Sequence, residues 1–137
     1  MPKQKDRVII DTNLWKSFLL TRDFSKFDSI IADNEITLLF SEELLNEIIE
    51  ITQRIKFKRY FKLDEVESLI LMIKTRAIFV DVTSEIQKCR DIKDNFLLSL
   101  SMDGKASHLL TGDKDLLILK KIGQTKIIKI TEYLGEK

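Results

Sequence analysis

Asp11, Glu47, Asp94 and Asp113 are the residues of this chain whose types and placement could carry chemistry. Asp11 ends the apolar run Val8-Ile9-Ile10, and Asp113 follows Leu109-Leu110-Thr111-Gly112. In open α/β sheets ligand sites form outside the carboxyl ends of strands, so both fall on the expected functional edge. Asp94 stands at the start of the apolar stretch Phe96–Met102, in the first turn of a helix, where the helix dipole favours a carboxylate. Four acids held within a few ångströms raise one another's pKa and oppose folding, and the usual resolution is a bound cation or shared protons. Oxygen donors without His or Cys suit Mg²⁺ or Mn²⁺, which keep several waters and bind through few carboxylates plus a substrate phosphate. Such ions orient and activate water and stabilise the leaving oxygen of an in-line phosphodiester displacement. Each acid also has a structural reading: Asp11 and Asp94 as helix N-caps, Glu47 as a solvent residue, Asp113 as part of an Asp-Lys-Asp turn.

The elements that must position these acids are set by hydrophobic patterning. Arg7–Ile10, Ile36–Phe40, Ala77–Val80, Ser107–Thr111 and Lys126–Ile130 read as five strands. Leu14 to about Ala32 reads as helical with a break near Thr21 to Asp23, Leu63–Lys74 as a helix capped by Asp64, and Leu116–Lys121 as a short helix. Asp81 to Lys93 reads as a loop with a helical turn around Ser84 to Arg90. Between Ser41 and Arg54, Leu44, Leu45, Ile48, Ile49, Ile51 and Ile55 recur at helical spacing. Glu47 then lies about 40° from Ile51 and about 60° from Leu44, on the border of the buried face, while Glu43 and Glu50 point outward. Alternating strands and helices imply a mostly parallel sheet covered on both faces, an α/β fold.

At 137 residues the chain is expected to be one domain over 1–137 with a core of its own. Hydrophobic residues at 44% and charged residues at 33%, with four Gly and one Pro, exclude disordered and fibrous classes. No run approaches the ~18 apolar residues of a membrane span, and no signal-peptide core precedes Asp11, so a cytoplasmic setting is expected. The single Cys89 excludes an internal disulfide and a thiolate zinc site. A net charge of +1 exerts little pull on a polyanion, so nucleic-acid binding has to rest on a local patch. Arg54, Lys56, Lys58, Arg59 and Lys62, interleaved with Phe57, Tyr60 and Phe61, form one, to which Lys93, Lys105 and Lys114 add. The same run also reads as a solvated helix end, and its aromatics as packing in a turn or as a seat for a partner peptide. His108, inside a strand, reads as structural rather than as a general base, Cys89 as an inert thiol, and Trp15 as core or dimer surface rather than a base-stacking platform.

The motifs Val8-Ile9-Ile10-Asp11-Thr12-Asn13, Ser41-Glu42-Glu43-Leu44-Leu45-Asn46-Glu47, Lys93-Asp94-Asn95-Phe96-Leu97 and Leu110-Thr111-Gly112-Asp113-Lys114-Asp115-Leu116-Leu117 resemble those of the PIN-domain family, in particular its VapC-like toxin branch. The resemblance runs nearly end to end. It implies a three-layer α/β/α sandwich on a mostly parallel five-stranded sheet. It also implies that Asp11, Glu47, Asp94 and Asp113 are catalytic metal-site acids, with Asn13, Thr111 and Asp115 as supports. The implied activity is Mg²⁺- or Mn²⁺-dependent endonucleolytic cleavage of single-stranded RNA by the toxin component of a toxin–antitoxin system, restrained by a cognate antitoxin. Homodimers are frequent in that family. Where relatives often carry proline, this chain has Ile55 and Ile92, which bears on loop stiffness more than on chemistry.

Two competing functions stand beside this one. A PIN-like module that binds RNA or protein without cutting is set against it by the four intact acids. An aspartyl-phosphate phosphatase uses a similar strand-end Asp, but Asp11-Thr12-Asn13 lacks the second Asp two residues on.

Overall fold

The computed structural model describes residues 5–54 and 63–136. Its sheet is assembled from β1 (Asp6–Ile10), β2 (Ile36–Phe40), β3 (Ile78–Phe79), β4 (His108–Leu110), β5 (Lys121–Ile122) and β6 (Thr125–Ile128), in the spatial order β3-β2-β1-β4-β6-β5. All neighbours are parallel except β5 and β6. The helices are α1 (Thr12–Thr21), α2 (Ser25–Ile31), α3 (Glu42–Gln53), α4 (Leu63–Arg76), α5 (Ile92–Asp103), α6 (Lys114–Leu117) and α7 (Ile130–Gly135). The expected α/β architecture holds, a central, mostly parallel sheet flanked by helices, with six strands rather than five.

The central strands are buried on both faces, as expected of a covered parallel sheet. Val8, Ile9, Ile10, Leu39, Phe40, Leu109 and Leu110 have almost no exposure. The register aligns Ile10 with Leu110 and Leu110 with Ile128, so the chain leaves β1 and β4 side by side at one edge. There Asp11 N–H donates to the Leu110 carbonyl at 2.9 Å and Thr111 N–H to the Ile128 carbonyl at 3.1 Å. Beneath that edge, Trp15 packs against Phe18, Phe27 and Phe40, with ring centroids 4.8–5.9 Å apart. This anchors α1 to β2 and settles Trp15 as core; being fully buried, it presents no dimer or stacking surface.

Several local expectations are corrected. Arg22 in the left-handed region (φ 57°) divides Leu14–Ala32 into α1 and α2, and Asp23 accepts from Ser25 N at 3.0 Å and Oγ at 2.7 Å to start the new turn. The expected turn at 84–90 is not helical. Side chains take its backbone groups instead: Asp103 accepts from Thr83 N–H and Ser84 N–H, and Asn95 Oδ1 accepts from Lys88 N–H and Cys89 N–H. The helix read as Leu116–Lys121 is Lys114–Leu117, and Lys121–Ile122 pairs with Thr125–Ile128 in an antiparallel hairpin turned at Gly123 (φ 56°). A Cβ at Gly123 would meet Met102 Sδ at 2.9 Å, so both conformation and space call for glycine. Among the described residues no helix is long and apolar enough to cross a membrane.

Candidate metal centre

Each acid reaches the sheet edge by a different local device. Asp11 is the N-cap of α1, its Oδ1 accepting from Asn13 N–H at 3.2 Å. Asp113 is the N-cap of α6, its Oδ1 accepting from Asp115 N–H at 2.8 Å. Asp94 is not a cap: Asp91 takes that role for α5, accepting from Lys93 N–H, which leaves Asp94 in the first turn with its carboxylate turned inward. Glu47 sits on the second turn of α3, half-buried, and its Oε2 accepts from Thr12 Oγ1 at 3.0 Å. The border position inferred from helical spacing is the one it occupies.

These four acids line one cleft of ≈ 230 Å³, together with Thr12, Asn13, Lys16, Glu50, Arg54, Asp91, Lys93 and Phe96. Asp94 and Asp113 come closest, and with Asp115 they offer three carboxylate oxygens within 4.8 Å of one another. Asp115, expected only in support, thus joins the tightest acid trio, while Asp11 and Glu47 lie in the adjoining wall. The sequence signal for it is the Asp-Lys-Asp spacing, which places 113 and 115 across the start of a helix whose cap needs the first of them.

Thr111 ties the site together. It is fully buried; its Oγ1 donates to Asp11 Oδ2 at 2.6 Å and accepts from Asp113 N–H at 3.0 Å. One hydroxyl thereby fixes a carboxylate and the backbone of the next acid. Asn13 is exposed and contributes its backbone N–H.

The electrostatics are those of acids crowded in a dry place. Asp11 and Asp94 are 3% and 5% exposed. Burial pushes the Asp94 carboxyl up to about 7, helped by its hydrogen bond to Asp113 and the charges of Asp113, Asp11 and Asp91. Asp11 is likewise raised, by burial first, although the bonds from Thr111 and Asn13 pull the other way. Among the described residues none of Asp11, Glu47, Asp94 or Asp113 is in an ion pair, and Asp115 has only Arg90 at 3.5 Å. Buried, mutually repelling carboxylates with oxygen as the only donor fit a hard divalent cation such as Mg²⁺ or Mn²⁺. Cys89 lies near the trio, but burial and the surrounding acids raise its thiol pKa, which keeps it protonated and unreactive.

Of the other residues singled out by sequence, Arg54 lines the cleft, whereas Lys56, Lys58, Arg59 and Lys62 lie outside the described residues. Lys105 is corrected: it precedes β4, so it belongs to the opposite edge of the sheet from the acids. His108 begins β4, its Nδ1 2.8 Å from Ser107 Oγ and its ring 4.7 Å from Tyr133, in keeping with a structural role.

A family model for the PIN domain matches residues 7–115, which span all four acids. No curated protein and no solved structure matches the chain.

Proposed function

Because the chain belongs to the PIN-domain family, whose members are typically metal-dependent nucleases, we propose that it is a divalent-metal-dependent endoribonuclease. Its substrate on this reading is single-stranded RNA. The observation that carries the reading is the convergence of Asp11, Glu47, Asp94 and Asp113 on one cleft with no cation paired to any of them among the described residues.

Asp94, Asp113, Asp11 and Glu47 would hold Mg²⁺ or Mn²⁺, with Asp115 at the rim of the trio. The ion supplies charge for the phosphate oxygens and a more acidic water. The chain's own residues do the positioning. Thr111 holds Asp11 and the Asp113 backbone, Thr12 holds Glu47, and the α5 cap at Asp91 fixes the turn that carries Asp94. Preorganisation of this kind spares reorganisation when charge develops on the phosphate. The basic run from Arg54 through Lys56, Lys58 and Arg59 to Lys62 comes directly after the Glu47 helix in sequence and is assigned to RNA backbone binding.

The motif resemblance supports the narrower role of a toxin in a toxin–antitoxin pair, acting in the cytoplasm, bound by an antitoxin and able to pair as a homodimer. The deciding experiment is cleavage of a panel of structured and single-stranded RNAs with Mg²⁺ or Mn²⁺, comparing wild type with Asp11→Asn and Asp94→Asn. Metal-dependent cleavage lost in both folded variants supports the nuclease. Inert wild type and equal RNA binding by all three proteins would replace it with the non-cutting module. Induced expression separates the toxin role: growth arrest by wild type and not by the variants is expected.

A further inference from the structure

The wall of the cleft carries cations that the acids do not use. Lys16 of α1 and Arg54 at the end of α3 both line it beside Asp11, Glu47 and Glu50, and among the described residues neither lies within 4 Å of a carboxylate. Their placement is helical arithmetic. Lys16 comes one turn after Thr12 on the same face of α1, and Thr12 is the residue that holds Glu47. The neighbouring Trp15, Phe18 and Leu19 turn into the core, which leaves Lys16 half-buried in the cleft wall. On α3, Glu47, Glu50, Ile51 and Arg54 stand at i, i+3, i+4 and i+7, one line facing the cleft, and Arg54 lies roughly 10 Å along the axis from Glu47. α1 and α3 pack against each other, so the two cations belong to one wall, displaced from the acid floor.

A lysine and an arginine set beyond reach of the acids are poorly placed to neutralise them, but well placed for an anion lying across the α1–α3 wall. We propose that Lys16 and Arg54 together hold a backbone phosphate next to the scissile one, so that a single strand enters the acid cleft over α1 and α3. This assignment rests on the ribonuclease reading. Arg54 supplies a planar fork and Lys16 a point charge, the two complementary ways of binding a phosphate. The competing role is electrostatic only, with Lys16 easing repulsion among Asp11, Glu47 and Glu50. Its removal would then alter cation affinity and leave strand binding alone.

The test is fluorescence anisotropy of a short labelled oligouridine with Ca²⁺ as the divalent ion, across a salt series. Wild type is compared with the Lys16→Gln, Arg54→Gln double variant, and a neutral methylphosphonate is moved along the strand. The variant is expected to bind about tenfold more weakly, with the slope of log K against log salt reduced by about 1.4. A methylphosphonate beside the scissile linkage should weaken wild type and not the variant, and in cleavage KM should rise while kcat is kept. The two side chains border solvent, so an unchanged melting temperature certifies the fold. Equal slopes, or the same methylphosphonate penalty in both proteins, would overturn the assignment and leave the nuclease standing. A wild type that binds no single strand would overturn both.

Discussion

Neutralising one acid at this site is expected to stabilise the metal-free protein. The perturbation is Asp94→Asn, which keeps size and hydrogen-bonding capacity while removing charge. The Asp94 carboxyl stands at about 7 against an ordinary 3.8, because it is buried and bonded to Asp113 among like charges. At 1.36 kcal/mol per tenfold, ionising it in the folded protein costs about 4 kcal/mol, and salt and local relaxation reduce that to about 2 kcal/mol. The sign is set by proton binding. The folded state binds the proton more tightly, so the contribution of Asp94 to stability is fully present below pH 3.8 and is lost as pH rises through about 7. Asp11, also raised, adds in the same direction.

Without divalent metal at pH 8, the Asn variant should therefore melt about 6–10 °C above wild type, a difference that shrinks toward nothing near pH 4. Adding Mn²⁺ at pH 8 should reverse the order, since the ion stabilises wild type by binding the folded state and finds a weaker site in the variant. The assay is thermal unfolding by circular dichroism at four pH values, with EDTA or Mn²⁺. Equal melting temperatures at pH 8 in EDTA would refute the account of a strained acid cluster. A Mn²⁺ response as large in the variant as in wild type would refute Asp94 as a ligand.

Thr111→Val removes the hydroxyl shared by Asp11 and the Asp113 N–H, and should cost about 1–3 kcal/mol in denaturant unfolding while raising the Asp11 pKa further. Glu47→Gln retains an acceptor for Thr12 and should leave the melting temperature within about 2 °C, yet weaken Mn²⁺ binding in an isothermal titration. Asp113→Asn should keep the α6 cap and gain stability at pH 8 in EDTA, whereas Asp113→Ala loses the bond to Asp115 N–H and offsets that gain by about 1 kcal/mol. Gly104→Ala should destabilise by about 1–3 kcal/mol, because its Cβ would meet the Leu100 carbonyl at 2.9 Å and Leu39 Cδ1 at 3.0 Å. Gly112→Ala, with nothing within 4 Å, should leave the melting curve unmoved.

Features dictated by burial were legible in the sequence. Val8-Ile9-Ile10 and Leu38-Leu39-Phe40 have one physical use, a strand covered on both sides, and Asp11 is therefore delivered to a strand end. Glu47 could be placed because helical geometry is rigid enough to fix a border position from its neighbours. The features missed depend on local bonds that no periodicity encodes. Ile118, Leu119 and Ile122 continue an apolar run, and only the left-handed Lys120 and the Gly123 turn make a hairpin of it. The segment 84–90 carries residues compatible with a helix, but Asp103 and Asn95 satisfy its backbone from outside. Asp115 was undervalued for a similar reason, since the closeness of its carboxylate to Asp94 depends on how α5 and α6 meet, a tertiary fact.

The site's construction also explains how the fold tolerates it. Asp11 and Asp113 each spend one oxygen on the first turn of the helix that comes next, and Asp11 spends the other on Thr111. These bonds favour the ionised carboxylates and oppose the repulsion that their neighbours impose. Asp94 has no cap to serve and takes the largest upward shift, so it is the member left to share a proton with Asp113 when no cation is bound. Capping thus holds two of the acids charged and oriented, and burial concentrates the remaining strain on the third. A divalent ion entering the cleft has two fixed carboxylates to meet and one proton to displace, which makes its affinity steepest in pH near 7 and ties binding to the stability of the edge itself.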